Sequence, residues 1–315
     1  MLFIHSRHSP EIMEENNKSI NFKFYLLMFL MIVVWALAFP FIKISLDELS
    51  FINLTIMRFF VVSVAFGFVF LIKKKSFSKL QKKDIIPIFL LGFIGVMVYH
   101  FGLNYGEQLI SPGAASLIIA TIPVFILILA IVFLKEKIGI IKLLGIIIAL
   151  VGVIVISIWG KEGESLEIEY IYAALAVLLA AIVGAFYTVA GKKLLVRYNA
   201  LSLTVYAMLL GSLGLIPFVR VSLFEEVAQM SLQVWSAILF LGLFSSVIGY
   251  LLWFYALEIK TASEISVYLY AIPVVATIAS YFLFADEITL MFVLGGILVI
   301  IGLVLVNKKW KQKID

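Results

Sequence analysis

The chain has 315 residues, 64% of them hydrophobic and 14% charged, and a net charge of +5. Its mean hydropathy is +1.16. A soluble domain carries roughly 25% charged and 45–50% apolar residues, so this composition excludes a water-soluble protein, which could not hide so much apolar surface. The absence of cysteine excludes a disulfide framework and a thiolate metal site.

In chain order, residues 1–22 form a polar tail of mixed charge whose only apolar run, Leu2-Phe3-Ile4, is too short for a signal-peptide core. His5 and His8 lie in this tail with no third ligand, so no metal site is expected there. A hydrocarbon core of about 30 Å needs about 20 apolar residues per helix. Ten segments meet that length: 24–42, 51–72, 85–106, 113–134, 138–159, 169–190, 203–219, 235–257, 262–285 and 288–306. Their long, non-alternating runs predict helices rather than barrel strands. A short basic tail, 308–315, follows the last one.

Lysine and arginine in the loops orient such a chain. With the N-terminus inside, 19 of the 24 basic residues fall on inside segments and three (Lys43, Lys161, Arg220) outside. The last two, Arg58 and Lys142, lie within spans. The expected placement is a multi-pass protein of a prokaryotic plasma (inner) membrane with both termini cytosolic. The positive charge marks that face, so no nucleic-acid partner is needed to account for it.

The sequence repeats itself at an offset of 150. Lys43 matches Lys193, Tyr105 matches Tyr255, and Ser116 matches Ser266. Ile122-Pro123-Val124 returns as Ile272-Pro273-Val274, and Gly145 and Gly152 return as Gly295 and Gly302. One gapless offset over that length is the mark of a duplicated unit. Each unit holds five spans, an odd number, so the second copy is expected upside down. Inverted repeats of this kind build transporters that open a central site alternately to each side. The expected organisation is a first five-helix repeat over 23–160 and a second, inverted one over 161–307.

Within the repeat, Ser111-Pro112 and Thr261-Ala-Ser-Glu264 are helix-start signals. Pro123 and Pro273 predict kinks about halfway along their spans, either purely structural or lining a cavity. The glycine pairs allow close helix approach, as scaffold or as the surface of a homodimer. Glu136 and Asp286 or Glu287 stand just before the following helices, where an acid complements the helix dipole.

These features resemble the EamA-like branch of the drug/metabolite transporter superfamily, over about residues 24–307. The layout, the mid-helix proline followed by an acid, the glycines of the next helix and the repetition of the whole carry the resemblance. It implies an all-α polytopic protein of ten transmembrane helices in two inverted repeats. It also implies a substrate cavity between the halves, and export or exchange of small metabolites such as amino acids.

Cargo specificity is expected where the two copies differ. His100, Asn104 and Glu107 share one helical face, against Tyr250, Phe254 and Leu257 in the other copy. Trp35, Tyr99, Tyr187, Tyr250, Trp253 and Tyr270 lie within spans and suit apolar or aromatic amino acids, or cationic drugs through ring faces. With His100 and Asn104 they form the candidate substrate contacts. Arg58, deep in its span, and Glu264, at a span start, are the candidate charge-coupling groups. No phosphate loop and no zinc-protease motif occur, and acids, histidines and serines do not cluster as an enzyme would need, so no cofactor and no catalytic residue is expected. A sugar-phosphate or nucleotide-sugar exchanger is the alternative and needs fixed cations, of which Arg58 alone is deep. A channel ranks below both.

Overall fold

The computed structural model describes residues 10–134, 140–159, 168–284 and 288–307, and these are helical with short connections and no strand among them. The protein is an all-α polytopic membrane protein. In chain order come α1 (Pro10–Leu46) and α2 (Phe51–Ile72), then α3 (Ile85–Phe93), which runs through a π-helical stretch, Ile94–Val98, into α4 (Tyr99–Leu109). Next are α5 (Pro112–Ile119), α6 (Ile122–Leu134), α7 (Ile140–Trp159), α8 (Ile168–Leu194) and α9 (Ala200–Ser212), which tightens into a 3-10 turn, Leu213–Phe218. After the short α10 (Val221–Gln229), α11 (Leu232–Leu239) passes through a second π stretch, Phe240–Ile248, into α12 (Gly249–Ile259). The chain closes with α13 (Ala262–Ser266), a 3-10 turn, Val267–Ala271, α14 (Ile272–Phe284) and α15 (Leu290–Asn307).

Among the described residues, eight helical stretches are long and apolar enough to cross a membrane. The predicted segments 138–159 and 288–306 fall on α7 and α15. Helix α1 starts at Pro10, so part of the polar tail is helical and continuous with the first apolar segment. Amphipathic α10 occupies residues that read as loop in the sequence. Glu136, Asp286 and Glu287 lie outside the described residues.

Side chains fix the helix starts. Ser50, Ser111, Asn199 and Ser231 each accept a backbone N–H three residues on. Thr261 and Glu264 close a reciprocal box: Glu264 N–H donates to Thr261 Oγ1 (3.3 Å) and Thr261 N–H to Glu264 Oε2 (3.2 Å).

The offset of 150 reappears in the element bounds. Helix α4 maps onto α12 and α6 onto α14 residue for residue, and Ile94–Val98 maps into the second π stretch. Packing follows the same map. Helix α4 packs on α8 as α12 packs on α1, α14 packs on α1 as α6 packs on α8, and α3 packs on α9 as Phe240–Ile248 packs on α2. Helices α7 and α15 pack on each other along their length. A Cβ at Gly152 would stand 2.6 Å from the Gly295 carbonyl oxygen, and one at Gly302 would stand 2.5 Å from that of Gly145. The four glycines therefore serve a contact inside the chain.

The connections are tied at both ends of the bundle. Ser231 N–H donates to Glu48 Oε2 (2.7 Å), and Gln81 N–H to the Tyr198 hydroxyl (3.0 Å), contacts again related by 150. Tyr198 in turn donates to buried Asp84 (2.9 Å), whose other oxygen takes Arg197 at 2.7 Å. Burial, with the Asp84 carboxylate beside it, pushes the Tyr198 phenol above its usual range, so it stays a neutral donor.

Candidate functional site

The two π stretches shape the centre of the molecule. A π turn shifts the hydrogen-bond register by one residue and gives some carbonyls a new aim, which is why such turns recur at functional sites. Here the Gly95 carbonyl accepts from His100 Nδ1 at 3.0 Å, and its partner in the repeat, the Ser245 carbonyl, accepts from Trp35 Nε1 at 3.0 Å. Glycine allows the close approach. A Cβ at Gly95 would lie 2.4 Å from the Tyr187 ring, and one at Gly249 would lie 2.3 Å from Trp35 Nε1.

The helices carrying the two prolines are broken just before them. Helix α5 ends at Ile119, and α6 starts at Ile122 after the turn at Ala120 and Thr121. Helix α13 passes through a 3-10 turn before α14 starts at Ile272. Pro123 and Pro273 are thus second residues of new helices, where the missing N–H costs little.

A cavity lies where these irregular backbones meet. Of its 19 lining residues, 12 form six pairs related by 150: Ala38 and Thr188, Gly95 and Ser245, His100 and Tyr250, Leu103 and Trp253, Ile119 and Leu269, Ile122 and Ile272. Both copies of the repeat thus contribute corresponding positions to the site, yet the paired side chains mostly differ. One wall is aromatic: the Trp35 ring lies 5.5 Å from Tyr250 and 5.4 Å from Trp253, and Tyr187 lies 5.7 Å from Tyr250.

Arg58 supplies the charge. It is 3% exposed, lines the cavity, and donates from Nε to Ser246 Oγ at 2.8 Å and from Nη2 to Ser245 Oγ at 2.9 Å. These bonds hold the guanidinium with neutral hydroxyls, which orient it and leave its charge uncancelled. His100 Nδ1 faces two carbonyls, those of Gly95 (3.0 Å) and Val96 (3.2 Å). That places the hydrogen on Nδ1 and makes Nε2 an acceptor. The Tyr187 hydroxyl is buried without a partner. One fixed cation, one acceptor nitrogen and one free hydroxyl beside an aromatic wall can hold a small solute with an anionic head and an apolar body.

Of the residues singled out from the sequence, Trp35, Arg58, Tyr99, His100, Tyr187, Tyr250 and Trp253 all line this cavity. Asn104 is one turn beyond it and donates to Thr55 Oγ1 at 2.9 Å. Tyr270 is not among the lining residues, although its neighbour Leu269 is. Glu264 is exposed and occupied at its helix start. Pro123 and Pro273 stand one residue past the lining isoleucines, and the four glycines lie away from the cavity, between α7 and α15. Sequence reading missed Gly95, Thr188, Ser245 and Ser246. The one signal that could have found Gly95 and Ser245 is their mismatch at the repeat offset. No group of His, Asp or Glu able to hold a metal occurs among the described residues.

Comparison with known proteins places this geometry. The EamA-like transporter family matches the chain twice, over residues 22–158 and 171–308. An uncharacterized transporter of Archaeoglobus fulgidus is 40% identical over 289 residues, covering 91% of this chain and 99% of that protein. A protein of Streptantibioticus cattleyicolor named a probable terminal-alkyne amino-acid exporter is 32% identical, covering 89% of this chain and 92% of its own. An uncharacterized transporter of Bacillus subtilis is 33% identical over 87% of each chain. A solved crystal structure shares the fold with a TM-score of 0.62 at 18% identity, over 90% of this chain and 96% of that one.

Proposed function

The chain belongs to the EamA-like transporter family, and from that premise we propose that it is a secondary exporter of small carboxylate-bearing metabolites, amino acids with apolar side chains foremost. In this reading Arg58 binds the substrate carboxylate, the Trp35–Tyr250–Trp253 wall takes the side chain, and Tyr187 and His100 Nε2 bond the amino group or bridging water. Arg58 carries the proposal: a buried guanidinium in a cavity wall, aimed by two serine hydroxyls, is a ready partner for a carboxylate. The relative named a probable terminal-alkyne amino-acid exporter supports the same substrate class and direction.

The mechanism we infer is alternating access between two inverted five-helix repeats, ten spans in all, with the cavity on the axis between them. The twofold family match, the shared element bounds and the paired lining residues support it. Broken helices at a central site are a recurrent transporter device. The charge distribution supports cytosolic termini in a plasma membrane. A sugar-phosphate exchanger fits less well, because the Lys43 ammonium is taken up by the carbonyls of Glu107 and Gln108 at 2.9 and 3.3 Å, leaving Arg58 to meet a phosphate.

The test is counterflow in proteoliposomes with a panel of radiolabelled amino acids, cationic drugs and sugar phosphates. The proposal expects leucine- or phenylalanine-like amino acids to exchange. Movement of sugar phosphates alone, or of no solute under any gradient, would contradict it.

A further inference from the structure

A second polar site lies beyond the cavity, at the end of α4. Glu107 is fully buried, and neither carboxylate oxygen has a hydrogen-bond partner. Three residues back on the same helical face, Asn104 Oδ1 is also buried without a partner. The orientation of that amide is fixed by its surroundings. The Thr55 hydroxyl donates to the Phe51 carbonyl at 2.8 Å, so it accepts from Asn104 Nδ2 at 2.9 Å, and Oδ1 is the end left over. Three acceptor oxygens thus sit within one helical turn with no donor among them.

We propose that Glu107 is the coupling carboxyl of the transport cycle, carrying a proton that it shares with Asn104 Oδ1. One proton resolves the whole arrangement. It neutralises a carboxylate that burial without hydrogen bonds penalises heavily, and it supplies the O–H donor that Asn104 lacks. Neighbours at i and i+3 on a helix are close enough for such a bond. The event is simple protonation: the carboxylate takes a proton from water to become the acid and returns it on deprotonation. The next residue, Gln108, is polar and exposed at the end of α4.

The surroundings select a proton over a metal cation. The charged groups acting on Glu107 are Lys43 from α1 and Arg58 from α2. Beside Gly106, α8 presents Ala173 and Val177. Tyr99, on α4 itself, is the titratable group that also lies within electrostatic reach of Glu107, and neither α5 nor the π stretch Ile94–Val98 carries a titratable side chain. Two fixed cations repel sodium, whereas a protonated Glu107 is neutral and meets no such repulsion. The copies differ here too, since the repeat partner of Glu107 is Leu257, so one coupling carboxyl serves the molecule. The inference rests on the transport reading for what the proton drives, not for the proton itself.

The test begins with infrared difference spectroscopy of the full chain in lipid, between acid and alkaline pH, with and without carbon-13 glutamate. The expected result is a protonated-carboxyl band that shifts with the label, titrates, is absent in Glu107→Gln and persists in Glu107→Asp. Replacing Lys43 by Gln should move its loss to higher pH, and exchanging sodium for choline should leave it unchanged. A carboxyl ionised at every pH, or a band removed by sodium, would overturn the proposal. Fifteen glutamates carry the label, so the assignment to Glu107 rests on loss of the band in Glu107→Gln, with Glu107→Asp as the conservative variant that keeps the test decisive if the first fails to fold. In proteoliposomes, amino-acid flux should follow an imposed pH gradient in wild type and Glu107→Asp but not in Glu107→Gln. Gradient-driven flux intact in Glu107→Gln would also overturn the proposal. Failure of every amino acid to move in the wild type would instead remove the transport reading and leave the infrared result standing.

Discussion

At the scale of single residues, Arg58 and Trp35 carry the site. Arg58 reaches Ser245 and Ser246 as a fork, a geometry that a lysine ammonium cannot reproduce. Hydrogen bonds to a charged group are each worth about 1.5–3 kcal/mol. Arg58→Gln and Arg58→Lys should therefore both weaken binding of a carboxylate substrate, by roughly 10-fold to 100-fold, measured by isothermal titration with the amino acid that exchanges best. A lysine variant that binds like the wild type would show that the fork is idle. Trp35 reaches the Ser245 carbonyl through its indole N–H. Trp35→Phe keeps the aromatic area but leaves a buried carbonyl unpaired, at a cost of about 1–3 kcal/mol. Its melting temperature should fall together with its substrate affinity.

At the scale of elements, the irregular backbones separate what the sequence reveals from what it conceals. The apolar segments were legible because span length is set by the thickness of hydrocarbon. Trp35, Arg58 and Tyr187, which line the cavity, stand out in the sequence because such side chains are out of place at that depth. The π stretches were not legible. Phe240–Ile248 is apolar and rich in Gly and Ser, and neither hydropathy nor propensity records a shift in hydrogen-bond register. Ser245 and Ser246 therefore looked like ordinary span residues. The prolines were visible, but the breaks fall before them, at Ala120–Thr121 and in Val267–Ala271, because proline tolerates a first turn better than a helix interior. Pro273→Ala should accordingly change stability by less than about 1 kcal/mol, while letting α13 and α14 fuse and moving Ile272. Its melting curve should match the wild type and its counterflow rate should fall. Gly249→Ala tests the other irregularity. Its Cβ would collide with Trp35, and overpacking of this kind costs about 1–3 kcal/mol, read as a lowered melting temperature.

At the scale of the whole molecule, the duplication organises both structure and function. Residues that match at the offset of 150, Pro123 with Pro273 and Gly145 and Gly152 with Gly295 and Gly302, build shared machinery, while the π stretches and end ties recur at corresponding positions with different side chains. Most paired positions lining the cavity differ, and Glu107 stands against Leu257, so on the reading proposed above symmetry is kept in the frame and lost at the cargo and proton sites. Lysines near the ends of α1 and α8 hold the carbonyl ends of α4 and α12. Lys43 bonds Glu107 and Gln108, and Lys192 bonds Leu257 and, at 2.9 Å, Lys260. Such contacts complement the helix dipole, and in an inverted pair they would close opposite faces in turn. The central claim, that one cavity on the repeat axis opens to each side, is testable because the chain contains no cysteine. A single cysteine at Thr188, in the cavity wall, can be probed with a membrane-impermeant maleimide from either side of oriented vesicles. Alternating access predicts labelling from both sides, with substrate and its gradient shifting the balance between them. Labelling from one side alone under every condition, or from neither, would contradict it.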